Sequence, residues 1–222
     1  RGGVRAILNP ERETHDLDEA LCQLLEHEFI DLKRDSQIAD EPEYHFRHAL
    51  IREAAYSLLT EDERRLGHRL AGTFLESHGQ IDALTLAEHF QKGGLPGKAA
   101  EHYLRACNQS CDRNDLDGAL QRAARGIECG PQGETLGNLM ALQAMAHCWC
   151  SQMTAGYQRS CSALPLVRPR SRFECIVLFH GTWAALVIGD DAVFSDMAMR
   201  LAQFDPESAA LRDYLLWTPL AA

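Results

Sequence analysis

The sequence contains no run of about 18 or more apolar residues, the length that indicates a membrane-spanning helix. Its first ten residues also lack the apolar core of a signal peptide. We therefore expect no membrane partner and predict a cytoplasmic protein.

Basic residues are scarce. The 22 Lys and Arg residues face 32 Asp and Glu residues, which gives a net charge of −10. An acidic surface repels a phosphate backbone, so we do not expect a nucleic-acid partner. With 45% hydrophobic and 24% charged residues, the composition is typical of a folded globular protein and excludes a disordered or collagen-like chain.

The eight cysteines form no CxxC pair, and a chain of this length does not need disulfides to hold its core. We interpret them as small buried helix residues. Structural zinc needs four ligands, which neither Cys107 and Cys111 beside His102 nor Cys148 and Cys150 supply. The sequence therefore predicts no metal site.

Motifs of catalysis are also missing. There is no GxxxxGK[ST] phosphate loop, no GxSxG nucleophile turn and no HExxH zinc motif. Asp190 and Asp191 follow Gly189 between two apolar helices, where Asp is the expected N-cap rather than an acid–base pair. We predict that this chain is not an enzyme and holds no cofactor of its own.

The N-terminal part combines helical and strand patterns. Leucine and alanine recur at helical spacing over residues 17–25, whereas residues 29–32 and 44–46 have the character of short strands around a polar turn. Helix, strand, turn, strand is the order of a winged-helix unit whose first helix is missing or incomplete. Residues 1–95 carry 11 bases and 19 acids, a net charge of −8, whereas residues 96–222 carry 11 and 13, a net charge of −2.

From residue 47 onward the pattern is helical. Apolar residues share one helix face over residues 50–59, and Thr60 with Glu63 forms a capping box for the next helix, which stops near Gly79. A further helix ends at Gly93 and Gly94. Pro96 then suits the first turn of another helix.

Small residues recur in the C-terminal part at tetratricopeptide-like offsets. Gly156 follows Ala119 after 37 residues, and Ala192 follows Gly156 after 36 residues. Both intervals are slightly above the ~34 residues of a standard repeat. We predict a mainly α fold, with a winged-helix-like unit over residues 1–60 and an α-solenoid of antiparallel helix pairs over residues 61–222. An irregular helical bundle is the alternative. The residues in register with the repeat are Tyr103, Ala106, Cys107, Ser110, Ala119, Ala123, Gly126 and Pro131.

The most specific string is YHFRHALIREAAYSLL at residues 44–59, followed by His68 and by LAEHF at residues 86–90. Together with LCQLLEHEFI at residues 21–30, it resembles the segment after the ATPase core in bacterial STAND-type regulators. Among these are the large adenylate/guanylate cyclase and Ser/Thr kinase fusions with a tetratricopeptide tail. The resemblance extends over residues 17–130. Gly67 departs from the family pattern, which has a bulkier residue there, at a helix cost of about 1 kcal/mol relative to Ala.

The resemblance implies a regulatory, protein-binding segment of a larger signal-transduction ATPase. An upstream nucleotide-binding domain of the same protein would hold ATP or ADP, and a protein or peptide would bind the concave face of the solenoid. In this family a histidine of the winged-helix unit can approach the nucleotide phosphates, which makes His48 the candidate, with Arg47 as a nearby positive charge. A role for His48 in capping or packing its own helix is the simpler alternative. Arg52 and Tyr56 are expected to hold the wing against the next helix.

Two other functions remain open at this level. A winged helix suggests a DNA-binding transcription regulator, but residues 16–28 carry two Asp and three Glu and no Lys or Arg. A stand-alone tetratricopeptide adaptor is the other alternative. Because the sequence opens on Arg1, we interpret it as a piece of a longer protein, with exposed apolar residues expected around Leu215 to Leu220.

Overall fold

A computed structural model describes residues 2–8, 14–33, 41–79 and 82–204. Within these ranges the chain forms eleven helices and one antiparallel pair of strands, which confirms a mainly α fold. Two compact units result, Arg1–Leu95 and Pro96–Ala222. The expected division at residue 60 stays a prediction, and the expected apolar end at Leu215 to Leu220 lies outside the described residues.

The two units have different element orders. Unit 1 comprises α1 (Gly2–Ile7), α2 (Thr14–Glu26), β1 (Ile30–Lys33), β2 (Glu43–Phe46), α3 (Ala49–Ser57), α4 (Glu61–Ser77) and α5 (Ala83–Lys92). Unit 2 comprises α6 (Pro96–Asp112), α7 (Leu116–Glu128), α8 (Gly133–Trp149), α9 (Met153–Ala163), α10 (Arg172–Ile188) and α11 (Asp191–Ala202).

The two strands predicted from the sequence form a hairpin. Ile30 pairs with Phe46 and Leu32 with Tyr44, so the register follows the expected segments within a residue. The Arg47 amide donates to the Phe29 carbonyl at 3.1 Å and extends the ladder by one bond.

Helix α3 carries the predicted apolar face, and this face is exposed. None of the residues of α3 is buried in the structure as described. The side chains of Leu50 and Leu58 are 78% and 85% exposed. The helical period correctly predicted the helix but not its burial, because a period shows which side chains share a face and not what covers that face.

Helix α4 begins at the predicted capping box and packs closely on α5 at a glycine. The predicted capping box is confirmed, since the Glu63 amide donates to the Thr60 hydroxyl and the Glu63 carboxylate accepts from the Thr60 amide. Close approach between helices occurs at Gly72, which lies against Phe90. Gly67 is not a close-contact position, because a Cβ there would meet only Ile7, at 3.9 Å.

Unit 2 is built from three consecutive helix pairs, α6 with α7, α8 with α9, and α10 with α11. The first helix of each pair also packs on the first helix of the next, α6 on α8 and α8 on α10. Gly126 of α7 permits this fit, since a Cβ there would lie 3.0 Å from the Tyr103 Cβ and 3.1 Å from Leu139. The core includes Cys107, Ala119, Ala123, Leu139, Leu142, Ile176 and Val177.

Several details of unit 2 correct or confirm the sequence predictions. Asp190 is the N-cap of α11, as expected, and accepts a hydrogen bond from the Val193 amide at 3.1 Å. Ala192 is exposed, and the buried residue of α11 is Met197 instead.

The prediction that the cysteines are buried holds for three of the eight, Cys107, Cys148 and Cys175. It is wrong for Cys22 of unit 1, which is exposed.

Candidate functional site

A polar cleft of about 700 Å³ lies among helices α3, α4 and α5 of unit 1. We call it the histidine cleft. Its walls carry three permanent cations, two imidazoles and a single carboxylate, in a unit whose net charge is −8. The lining residues are Arg52, Glu53, Tyr56, Ser57, Arg64, His68, His89 and Lys92.

Helical spacing explains how α3 supplies half of the cleft. Residues four apart lie above one another on a helix, so Arg52 and Tyr56 form one row. Leu50 and Leu58 lie two positions away from these residues and belong to the opposite, apolar face. The cleft and the exposed apolar face are thus the two sides of one amphipathic helix.

Arg64 joins the start of α4 to the end of α3. Its guanidinium donates to the carbonyl oxygens of Tyr56 and Ser57, both at 3.1 Å, and lies 4.8 Å from the centre of the Tyr56 ring. These bonds satisfy carbonyls at a helix C-terminus that have no partner within the helix. Tyr56 therefore contacts the next helix, as expected, whereas the expectation that Arg52 and Tyr56 hold the wing against it stays a prediction.

Tyr56, His68 and His89 form a continuous hydrogen-bonded chain across the cleft wall. The Tyr56 hydroxyl lies 3.0 Å from His68 Nε2, and His68 Nδ1 lies 3.1 Å from His89 Nδ1. Burial lowers the pKa of His68, and His89 and Lys92 lower it further. Burial and then Lys92 also lower the pKa of His89, against an opposing effect of Glu88.

Two cations of the cleft have uncompensated charge within the described part of the chain. Neither Arg52 nor Lys92 forms an ion pair with a carboxylate there, and both side chains are exposed. Exposed charges of one sign around a concave surface raise the local concentration of anions. The arrangement can therefore attract an anion and hydrogen-bond to it.

The two residues expected near a nucleotide lie outside this cleft. His48 is the N-cap of α3 and is exposed, but its side chain makes no capping hydrogen bond. Arg47 pairs with Glu28 at 2.7 Å and lies 3.9 Å from Asp31. Its charge is therefore partly neutralised within unit 1, and the expected contact of both residues with a nucleotide stays a prediction.

No group of three or more His, Cys, Asp or Glu side chains that could hold a metal ion occurs in the described ranges. Cys107, considered above with Cys111 and His102, instead donates to the Ala119 carbonyl at 3.3 Å within the core. A hydrogen bond with Cys111 and then burial raise the pKa of the Cys107 thiol, so it stays a thiol at neutral pH.

Unit 2 contains a second unusual histidine. His180 is fully buried, with the rings of Trp149, Phe179 and Trp183 within 6.4 Å, centroid to centroid. Burial lowers the pKa of His180 to about 4. Its imidazole is thus neutral at pH 7 and acts as a packed aromatic ring.

In the sequence His68 and His89 stood out only as parts of a longer motif, and their contact was not predicted. The two residues are 21 positions apart on different helices, and helical periodicity carries no information on which faces of two helices meet. The available signal was the presence of His, Arg and Lys at spacings of three and four along α4 and α5.

No protein-family model matches the chain, and no solved structure matches it. An uncharacterized protein of Rhizobium meliloti (strain 1021) is 30% identical over 97 residues, 41% of this chain. The match covers only 9% of that relative's length. None of the described helices is both long and apolar enough to cross a membrane.

Proposed function

We propose that this chain is a non-catalytic regulatory and protein-binding segment of a larger bacterial signal-transduction ATPase. Unit 2 acts as a tetratricopeptide-like solenoid that binds a protein or peptide. The N-terminal hairpin and helices act as a winged-helix-like unit that packs on a nucleotide-binding domain of the same protein.

The observation that carries this proposal is the order of packing in unit 2. Successive helix pairs stack so that α6, α8 and α10 pack in sequence, each followed by its own partner helix. Each repeat of a solenoid contacts its neighbours in this way, and the resulting concave face is a common peptide-binding surface. An irregular bundle does not require such an order.

The exposed face of α3 supports the proposed packing on another domain. Leu50 and Leu58 lie on one row of a helix that contributes nothing to the core of unit 1 within the described residues. Apolar side chains grouped on one helix face usually mark a contact surface. The long relative, of which more than nine-tenths lies outside the match, is in keeping with a segment of a larger protein.

Partner binding on the solenoid would then shift the ATPase between two states. Such coupling requires that the partner bind one state more tightly than the other. We expect ATP or ADP to bind the upstream domain, and His48 with Arg47 to approach its phosphates.

The test uses the full-length protein that carries this sequence and measures nucleotide hydrolysis with and without its signal. Deleting residues 96–222 should change the basal rate or abolish the response. Replacing Leu50 and Leu58 by Asp should have a similar effect. Leu66→Asp is the matched control, since Leu66 is 52% exposed, lies on α4 and does not line the cleft. Unchanged turnover and response in both variants would contradict the proposal.

The DNA-binding alternative has a separate readout. The segment of α2 contains Asp18, Glu19 and Glu26 and no Lys or Arg, so its own charges would repel phosphates. A low-salt gel shift should therefore show no tight complex with duplex DNA. A tight complex would favour a transcription regulator, whereas a gene with no upstream ATPase region would favour a stand-alone adaptor.

A further inference from the structure

We propose that the histidine cleft binds a small doubly charged oxyanion, a phosphate group either free or carried on a small molecule, and takes up a proton when it does so. This site is separate from the residues expected near an ATPase nucleotide. It is independent of the proposed regulatory function.

The charges of the cleft lining favour a doubly charged anion. Arg52, Arg64 and Lys92 outnumber Glu53, so the lining has a net charge of +2 with both imidazoles neutral. The guanidinium of Arg64 is fixed by its two backbone bonds and its position over Tyr56. An oxyanion therefore meets one pre-oriented cation and two exposed ones, a set suited to two negative charges.

Size is the second argument. A cleft of about 700 Å³ falls within the ~300–1,000 Å³ range of small-molecule sites. It has room for a phosphate group and the small molecule that carries it. A single inorganic ion would leave most of the space to water.

The hydrogen-bonded chain supplies the proton argument. The hydrogen bond between the Nδ1 atoms of His68 and His89 contains one proton, and each neutral imidazole has a single N–H. If His68 holds that proton, its Nε2 accepts from the Tyr56 hydroxyl, and the only outer donor is His89 Nε2–H. If His89 holds it, His68 Nε2–H donates to Tyr56, and the only outer donor is the Tyr56 hydroxyl.

Adding one proton changes this count. With His68 doubly protonated, its Nδ1–H donates to His89 and its Nε2–H donates to the Tyr56 oxygen. The Tyr56 O–H and the His89 Nε2–H are then both outer donors. The chain therefore gains one positive charge and one donor together, and an anion stabilises the protonated form over the neutral one.

The groups around the histidines set the pH at which this occurs. Lys92 and Glu88 act on His89 from its own helix, and Lys92 also opposes the charging of His68. Helix α3 contributes Arg52, Glu53 and Tyr56, and Arg64 lies one turn from His68. Helix α1, which packs on α4, has Arg5 as its one charged residue. Most of these groups disfavour an imidazolium, so both histidines of the free cleft are neutral at neutral pH. A bound dianion stabilises the imidazolium and so favours protonation.

The test is isothermal titration calorimetry of the 222-residue protein with sulfate at low ionic strength, because salt screens such contacts. Sulfate keeps its double charge over the whole range, so any proton uptake on binding is by the protein, and the buffer supplies the proton. We expect saturable binding of one sulfate, tighter at pH 5.5 than at pH 7.5. Titration at one pH in buffers of different ionisation enthalpy should reveal net proton uptake.

Matched variants assign the binding to this cleft. Arg52→Gln and Lys92→Gln should each weaken sulfate binding about fivefold, which is the upper range for an exposed ion pair. Arg65→Gln removes the same charge from α4 outside the cleft and should leave binding unchanged. All three side chains are exposed, so the fold should tolerate each change.

Variants of the chain separate charge from proton linkage. Tyr56→Phe and His89→Gln retain the three cations but remove one outer donor each, so proton uptake should fall in both. Equal weakening by Arg65→Gln, or binding that does not saturate, would overturn the site. Saturable binding without proton uptake would overturn the linkage.

Two phosphate probes, compared with acetate, define the ligand class. Inorganic phosphate and glycerol 3-phosphate should both bind more tightly than acetate, which carries a single charge. The tighter of the two phosphates identifies whether the site is built for the free ion or for a monoester. Acetate binding as tightly as either would refute the requirement for a dianion.

Discussion

Gly72 of α4 lies directly against the ring of Phe90 in α5. A Cβ on Gly72 would stand 3.1 Å from Phe90 Cε1 and 3.2 Å from the His89 Cβ. Phe90 is fully buried, so its ring cannot move away without disturbing the core. This contact sets the separation of the two helices that carry His68 and His89, and thus supports the geometry of the cleft.

We expect Gly72→Ala to destabilise unit 1. Overpacking of a tight contact costs about 1–3 kcal/mol. The gain in helix propensity from Gly to Ala, about 1 kcal/mol, offsets only part of that. Gly67→Ala is the matched control on the same helix, and it should stabilise unit 1 because only Ile7 lies nearby, at 3.9 Å.

Hydrogen exchange of the α4 and α5 amides is the suitable measurement, because all three tryptophans lie in residues 96–222 and fluorescence does not report on unit 1. Equal stabilisation by the two alanine variants would show that Gly72 is not a close-contact position.

A second prediction concerns the capping box at the start of α4. Thr60→Ala removes the hydroxyl that accepts from the Glu63 amide, and the loss of such an N-cap costs about 1 kcal/mol. Thr60→Ser keeps the hydroxyl and should unfold at nearly the same urea concentration as the unmodified protein, measured by circular dichroism.

The same box predicts a response to acid. The Thr60 amide and hydroxyl hold the pKa of Glu63 below its usual value of 4.5. Its folded pKa is depressed, so this contribution is complete above pH 4.5 and is lost as the pH falls through the folded pKa. The difference between Thr60→Ala and Thr60→Ser should therefore shrink in acid. A constant difference would contradict a role for the bond from the residue 60 hydroxyl to the Glu63 carboxylate.

Local chemistry could be predicted from the sequence where a single segment determines the outcome. The Thr60 box, the start of α6 at Pro96 and the Asp190 cap each depend on residues within one turn. The hairpin was predicted within a residue because its two strands are short and each is bounded by polar or helical sequence.

Features that depend on contacts between distant segments could not be predicted in this way. The apolar period of α3 predicted a helix, but it could not show that Leu50 and Leu58 are exposed. The bond between His68 and His89 depends on how α4 and α5 pack, which Gly72 permits. Ala192 fits the spacing of small residues, yet it is exposed because α11 packs through Met197.

A third prediction concerns acid stability of unit 2. Burial lowers the pKa of His180 to about 4, from an ordinary value of 6.5. The unfolded chain therefore binds a proton at His180 before the folded chain does, and stability is lost as the pH falls from 6.5 to 4. The full loss is about 3 kcal/mol, since one pKa unit corresponds to about 1.4 kcal/mol.

Urea unfolding followed by tryptophan fluorescence measures this loss, because Trp149 and Trp183 lie beside His180. His180→Leu should flatten the pH dependence over that window. His147→Gln, in the same helix as Trp149, is the control and should keep the slope of the unmodified protein. An equally steep slope in His180→Leu would assign the acid response to other groups.

The last prediction concerns the order in which the cysteines react. Burial raises the pKa of Cys148 and Cys175 to about 11, whereas Cys22 is exposed on α2. Only the thiolate reacts with alkylating reagents, and at pH 7.5 a thiol of pKa 11 is ionised on the order of once in several thousand molecules. We expect iodoacetamide to modify Cys22 first in the native protein, and Cys148 and Cys175 at a significant rate only after unfolding. Peptide mass spectrometry at timed intervals gives the order directly. Cys22→Ser should remove the fastest phase and Cys175→Ser should not, whereas early labelling of Cys175 would mean that α10 opens readily and that the core of unit 2 is less stable than its packing indicates.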